Sequence, residues 1–410
     1  FSSRPRAAAA GGMASGDDSA EIDPFDALMS IEPDEFSQLL EEAPGDAGGN
    51  GFNAKPRRGG IPVVSVAIDP FRFRSEFLVP RRPVILFDPS NGVATGHANL
   101  TPTKLREKYG DQIVPLDVTD RDERVMVRLR DFLDAVEEKD LLPEKAESNQ
   151  SSDDATRARI ETSKEPPGTS LTPTQLRGKY LRNLHVRDFF PEEVVALPNV
   201  LQPNHLCDEK KVPACPKTWR QWFELFVSHP ASPGFPFLHR DACCVHAAST
   251  QVCGTKRWVL FPPEAGEQGL LYATGPSGRR SSVAKEFIRT LFEPAIPVET
   301  LKEYPLLGAV KGRVVCDVHE GETLIVPANW WHCAIAVEVT ENADEETGEG
   351  THNGSERSRN SEKKKKQKKH VCVSVAASFV DESNLNAFND AYCEFRAIQT
   401  LTGKGAGGIQ

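Results

Sequence analysis

His239 and Asp241 stand two residues apart, and His332 ends the run Pro-Ala-Asn-Trp-Trp-His. Two imidazoles and one carboxylate are the protein ligand set of a non-haem Fe(II) facial triad, which keeps metal positions open for a substrate and oxygen. Lys256 falls between these residues in the chain. A lysine one strand further on could clamp the carboxylate of an oxidisable cosubstrate. The chemistry indicated is oxygen activation.

The positioning elements follow from strand geometry. In an extended strand, residues two apart share a face, so His239 and Asp241 reach one metal while Arg240 turns away. Pro-Gly-Phe-Pro at 233–236 bends the chain into that strand. The third ligand has to come from a distant strand on a curved wall. His332 suits this, because Glu-Thr-Leu-Ile-Val-Pro at 322–327 reads as a strand and a Pro-Ala-Asn turn follows. Ala334 and Ala336 share the His332 face and leave space for a cosubstrate. Single histidines such as His205, His229, His246 and His319 read as ordinary core or surface residues.

Residues 250–261 read as one strand through Gly254, with Lys256, Trp258 and Leu260 on one face. A lysine among inward-facing apolar residues must find an anion, since burying it unpaired is costly. The alternative is a snorkelling Lys256 with Arg257 as the inward residue. Strand phase alone does not separate the two.

The folded sequence begins near Ile61. Strands are expected at 61–66, 83–87 and 112–118, with an amphipathic segment at 72–78. Thr101-Pro102 starts a helix that Gly110 stops, and residues 130–138 carry Phe132, Leu133 and Val136 at helical spacing. Residues 384–399 read as a helix with Leu385, Phe388 and Tyr392 on one face. All five tryptophans lie between Trp219 and Trp331, where a β-rich domain completes its core.

Four segments read as unpacked. Residues 1–60 are rich in Ala, Gly, Ser and Asp, and 401–410 form a polar tail. Polar insertions are expected at about 143–170 and 341–370, the second as a long hairpin loop between strand-like runs at 333–340 and 371–379. Lys363-Lys-Lys-Lys-Gln-Lys-Lys369 inside it reads as a solvated stretch partly neutralised by its acidic half, in preference to a nuclear-import or nucleic-acid patch. Phe1 is not an initiator methionine, which reads as a fragment, a processed form or a questionable start. The acidic residues Asp17, Asp18 and Glu21 argue against a transit peptide.

The net charge of −10 argues against sequence-independent adhesion to nucleic acid. No run approaches the roughly 20 apolar residues that a membrane span needs. Nine cysteines, odd in number and irregularly spaced, point to a reducing compartment, cytoplasmic or nuclear. His205, Cys207 and Cys215 lack a fourth ligand and zinc-ribbon spacing, so the thiols read as ordinary buried ones.

Taken together, Tyr-Leu-Arg-Asn from Tyr180, His239-Arg-Asp241, Val-Cys-Gly-Thr-Lys-Arg-Trp-Val-Leu-Phe-Pro-Pro at 252–263 and Gly-Glu-Thr-Leu-Ile-Val-Pro-Ala-Asn-Trp-Trp-His at 321–332 resemble the JmjC branch of the cupin-type Fe(II)/2-oxoglutarate oxygenases. The resemblance runs from about residue 61 to 389 and extends to the small-hydroxylase subgroup, that of jumonji domain-containing proteins four and six. It implies a mainly β fold with flanking helices, a double-stranded β-helix or jelly-roll, forming one catalytic domain over 61–400. It implies His239, Asp241 and His332 as iron ligands. Lys256 would hold the distal carboxylate of 2-oxoglutarate with help from the Tyr180 hydroxyl. Ser249 and Ala376 depart from the pattern, standing where relatives have an asparagine and a threonine beside the cosubstrate, and Ser378 is a neighbouring polar candidate.

The implied reaction consumes molecular oxygen and 2-oxoglutarate and hydroxylates a C–H bond of a protein substrate. The reading taken is a lysine hydroxylase acting on a translation-related protein such as the termination factor. Its rivals are a JmjC demethylase, a binding module with a vestigial site, and a cupin using another metal for isomerisation or hydrolysis. Residues 190–215 and 264–282 are candidate substrate loops. Oligomeric state is not readable from the sequence.

Overall fold

The alternation in Cys372–Phe379 shows how one strand serves two environments. Val373, Val375 and Phe379 enter the largest apolar cluster, whereas Ala376 and Ser378, on the opposite face, line a cavity. A computed structural model describes residues 60–89, 97–118, 123–137, 171–213, 215, 219, 222–235, 237–267, 273–274, 280–338 and 371–402. The expectations for residues 1–59, 143–170, 341–370 and 403–410 lie outside the described residues, as does that for the lysine run.

In chain order the described strands are β1 Val63–Ser65, β2 Val84–Phe87, β3 Ile113–Val118, β4 Glu123–Arg128, β5 Tyr180–His185, β6 Phe223–Ser228, β7 His246–Cys253 and β8 Thr255–Phe261. They continue as β9 Ala273–Thr274, β10 Arg280–Ser281, β11 Val314–His319, β12 Glu322–Val326, β13 Trp331–Val337 and β14 Cys372–Phe379. The larger sheet has the order β1-β2-β12-β7-β14-β6-β5-β3-β4, and a smaller one has β11-β8-β13. Consecutive strands cross between the sheets from β11 to β12, to β13 and to β14. That alternation is the jelly-roll connectivity expected, in a mainly β fold with flanking helices.

Both sheets are covered on both faces. Helices α1 (Pro102–Tyr109) and α2 (Leu129–Glu137) place Leu105, Phe132, Leu133 and Val136 against Val114, Leu116, Leu225 and Val375 of the larger sheet. Residues of 283–310, including Leu291 and Phe292, cover Val259, Phe261 and Trp331 of the smaller sheet. Between the sheets, Ile85 and Leu324 meet Trp258, Leu260 and Val318. The final helix, α3 (Leu385–Thr402), packs Phe388 and Tyr392 on Leu206, Val212 and Val380 of the same chain, and extends two residues into the expected tail. Pro102 opens α1, and at Gly110, just past its end, a Cβ would fall 2.4 Å from the Arg106 carbonyl.

Two sequence expectations are corrected. Residues 250–261 are not one strand, because β7 ends at Cys253 in the larger sheet and β8 begins at Thr255 in the smaller. Gly254 makes the change with φ +72, and a Cβ there would sit 2.6 Å from the Val371 carbonyl. The runs around 333–337 and 372–379 do not form a hairpin either. β13 pairs with β8, while β14 pairs with β6 and β7.

Candidate functional site

His239 and His332 face each other across a backbone bridge. His239 N donates to His332 O at 3.1 Å, and His332 N donates to His239 O at 2.7 Å. Such a reciprocal pair holds the two residues directly opposite one another. Their ring centroids stand 4.4 Å apart. Phe235 stacks flat on His239, with centroids 4.5 Å apart and planes at 12°. Just before Phe235, Gly234 with φ +81 lets the chain lie close against β13, since a Cβ would fall 2.5 Å from Ile335 Cγ2.

Asp241 does not belong to a named strand. It precedes the 3₁₀ turn Ala242–Cys244, yet its backbone stays extended at φ −67 and ψ 157, so its carboxylate returns to the His239 side. Asp241 Oδ1 lies 3.9 Å from His239 Nε2, and Oδ2 lies 3.8 Å from His332 Nε2. Donor atoms of the three residues fall within 4.8 Å of one another, the one such group of three among the described residues. His332 Nδ1–H donates to the Trp330 carbonyl at 3.0 Å, which fixes the tautomer and frees Nε2 as an electron-pair donor. The turn before His332 is pinned by Ala328 N donating to His246 Nδ1 at 2.9 Å, and Asn329 adopts φ 69. Histidine and carboxylate donors converging on one point, with cavity space beside them, fit a divalent transition metal.

The same cavity is lined by Lys256, Tyr180, Ser249, Trp258, Ala334, Ala376 and Ser378. Lys256, 3% exposed, points inward. Its Nζ donates to Tyr180 Oη at 3.4 Å and to Ser374 Oγ, and it lies 4.9 Å from the Phe226 ring centre. No carboxylate of the described residues pairs with it. Burial pulls its pKa down to about 8. Burial also pushes the Tyr180 phenol well above its usual range, so it stays neutral. Arg257 instead faces outward onto Asp317, which resolves the phase of β8.

Ser249 and Ala376 are direct cross-strand partners, so the two departures from the expected pattern fall side by side on one cavity wall. Sequence reading missed Ser374, Phe226, Asn183, Trp222 and Glu224. Ser374 was detectable in principle, since it shares a strand face with Ala376 and Ser378. The others reach the cavity through sheet pairing that no local pattern encodes. The described parts of residues 190–215 and 264–282 do not line this cavity. The zinc reading of His205, Cys207 and Cys215 gains no support. His205 Nε2 sits 2.8 Å from Glu382 Oε1, and Cys215 packs in the cluster beneath α3.

A two-sheet β fold with a His-Asp-His group and an inward lysine on one cavity is the architecture of a cupin-like domain. The chain belongs to the cupin-like domain family, whose model matches residues 70–384, and the resemblance to JmjC oxygenases holds. It is 26% identical over 298 residues to a bifunctional arginine demethylase and lysyl-hydroxylase of Caenorhabditis briggsae, covering 71% of this chain and 63% of that one. The Caenorhabditis elegans protein of the same description is 25% identical over 292 residues, 70% and 61% of the two chains. A lysine-specific demethylase of Arabidopsis thaliana is 29% identical over 136 residues, 33% of this chain and 14% of that one. The chain therefore spans about three fifths of the nematode relatives' length.

Proposed function

We propose that this chain is an Fe(II)- and 2-oxoglutarate-dependent protein hydroxylase acting on a basic side chain, lysine first. The observation that carries the reading is the buried cation of Lys256, without a carboxylate partner among the described residues, in the same cavity as His239, Asp241 and His332. A buried lysine without a carboxylate partner asks for an anion from outside, and a dicarboxylate cosubstrate supplies one. His239, Asp241 and His332 would hold the iron, which with 2-oxoglutarate supplies oxygen activation. The chain's own contributions are positional. Trp330 O orients His332, the Phe235 ring braces His239, and Tyr180 and Ser374 direct the Lys256 ammonium toward the incoming carboxylate. Ser249 opposite Ala376 leaves the wall beside the cosubstrate small.

The resemblance to the small hydroxylases puts a lysine of a translation-related protein, such as a termination factor, first among targets. The cytoplasm or the nucleus is the proposed location. A second reading, demethylation of a methylated lysine or arginine, is favoured by the relatives' descriptions and uses the same site. Release of formaldehyde from a methylated peptide would separate it from hydroxylation.

The direct test is titration of 2-oxoglutarate into the full chain loaded with Mn(II) without oxygen. Metal-dependent binding is expected, and it is lost in Lys256→Ala. Folded, metal-loaded protein that binds no 2-oxoglutarate would leave a vestigial-site binding module as the better reading.

A further inference from the structure

A further charged side chain faces the cavity, this one from the larger sheet. Glu224 on β6 is half-buried and lines the same space as His239, Asp241 and Lys256. Sheet register places it in a row with the two small residues of the cavity wall. Ser249 pairs with Ala376, and Ala376 pairs with Glu224, across β7, β14 and β6. The wall is thus open where the cosubstrate is proposed to lie and carries a carboxylate one strand further along.

That carboxylate is held in place by neutral groups. Asn183 Nδ2 donates to Glu224 Oε2 at 3.0 Å, and Arg182 Nη1 donates to Asn183 Oδ1 at 3.4 Å, which sets the orientation of the amide. Asn183 occupies a left-handed conformation, φ 53, that asparagine tolerates better than most residues. The Trp222 side chain also hydrogen-bonds to Glu224, and its ring packs at 5.0 Å from His185 and 6.0 Å from Trp219. Two donors leave a carboxylate with unused acceptor sites. Arg182 does not fill them, because its guanidinium is paired with Asp117. No described lysine, arginine or histidine forms an ion pair with Glu224.

Charge arithmetic points the same way. Asp241 and Lys256 cancel, and a metal dication cancels a dicarboxylate cosubstrate. Glu224 remains as a cavity-wall carboxylate without an ion-pair partner among the described residues, beside the indole of Trp222 and with the Arg182 guanidinium as a more distant charge. A carboxylate next to an aromatic face recognises an organic cation carried on an aliphatic stem.

We infer that Glu224, backed by Asn183 and walled by Trp222, is the specificity residue that pairs with the ammonium or guanidinium of the substrate side chain and so sets which C–H bond lies beside the metal ligands. The inference rests on the hydroxylase reading above and adds a residue to it.

The test uses the full chain with Mn(II) and 2-oxoglutarate, free of oxygen. The probes are short peptides, otherwise neutral and identical, with lysine, arginine, norleucine or citrulline at the centre, followed by fluorescence polarisation. Wild type is expected to bind the lysine or the arginine peptide about tenfold more tightly than its uncharged counterpart, a gap within the range of a partly buried charge pair. The lysine and arginine arms tell ammonium from guanidinium. Glu224→Gln should erase the gap, and Glu224→Asp should restore part of it. Calorimetric titration of 2-oxoglutarate into each variant serves as the control for folding and for the site. A gap that persists in Glu224→Gln, or a wild type that treats charged and uncharged peptides alike, would overturn the inference. Failure of wild type to bind 2-oxoglutarate would instead sink the hydroxylase reading, and this inference with it.

Discussion

On the outer face of β8, Arg257 meets Asp317 through two hydrogen bonds, Nε to Oδ1 at 2.7 Å and Nη2 to Oδ2 at 2.9 Å. On the inner face, one residue earlier, Lys256 has a phenol, a serine hydroxyl and an aromatic ring, and no carboxylate. The outer cation is satisfied within the chain, and its hydrogen bond to Asp317 raises its pKa. The inner one is lowered to about 8 by burial. Where a protein completes a buried charge itself, the pair is structural. Where it leaves the charge for something else to complete, the residue is a candidate binding group.

The largest expected effect comes from removing the inner charge. Lys256→Met should weaken 2-oxoglutarate binding by about 10²- to 4 × 10³-fold, the scale of about 3–5 kcal/mol for breaking a buried pair. The melting temperature of the metal-free protein should not fall, since an unpaired buried cation costs stability. Intact cosubstrate affinity together with a lower melting temperature would mean that Lys256 is structural after all, and the contrast with Arg257 would collapse.

The next effect is on pH. The inner lysine binds an anion in its protonated form, so 2-oxoglutarate affinity should hold below pH 8 and fall by about tenfold per unit above it. Its neighbours Tyr180 and Cys372, both raised by burial, stay neutral there. For folding the sign is opposite. Between pH 8 and the unfolded value of 10.5 the unfolded chain binds the extra proton, so this group's contribution to metal-free stability improves as pH rises. Calorimetry across pH 7 to 10 checks the affinity, and melting curves without metal check the stability. A flat affinity profile would count against the lysine as the anchor.

Tyr180→Phe removes one hydroxyl beside Lys256 and should cost about 0.5–1.5 kcal/mol of cosubstrate affinity, up to roughly tenfold. No change would restrict the clamp to Lys256 and Ser374. The smallest effect belongs to the outer face. Arg257→Met should cost at most about 1 kcal/mol of stability, because the pair is partly solvated, and leave 2-oxoglutarate binding untouched. Denaturant unfolding and the same titration measure both, and a large loss of binding would show that the two faces of β8 are not independent.

The candidate site divides along a similar line in how readily it can be read. His239, Asp241, His332 and Lys256 stand out in the sequence because metal and anion chemistry admits few residue types, and their spacing suits two extended segments. Glu224, Asn183 and Ser374 carry no such mark. Each gains its role from a partner on another strand: Glu224 beside Ala376, Asn183 against Glu224, Ser374 against Lys256. The fold shows the same limit. Strand positions around β2, β3 and β12 and the start of α1 follow from local alternation and from Pro102. The switch at Gly254 does not, because a glycine within an apolar run looks alike whether the strand continues or turns to another sheet.

The amino-acid order alone, then, specifies a β-rich chain and three metal-ligand candidates, because these depend on residue chemistry and local periodicity, while the family resemblance nominates Lys256 as the cosubstrate anchor. The tertiary structure decides which of two adjacent cations turns inward, that β13 and β14 belong to different sheets, and that a carboxylate joins the cavity wall. Those outcomes depend on register between strands distant in sequence, where the burial of whole faces, and not local preference, sets the energy.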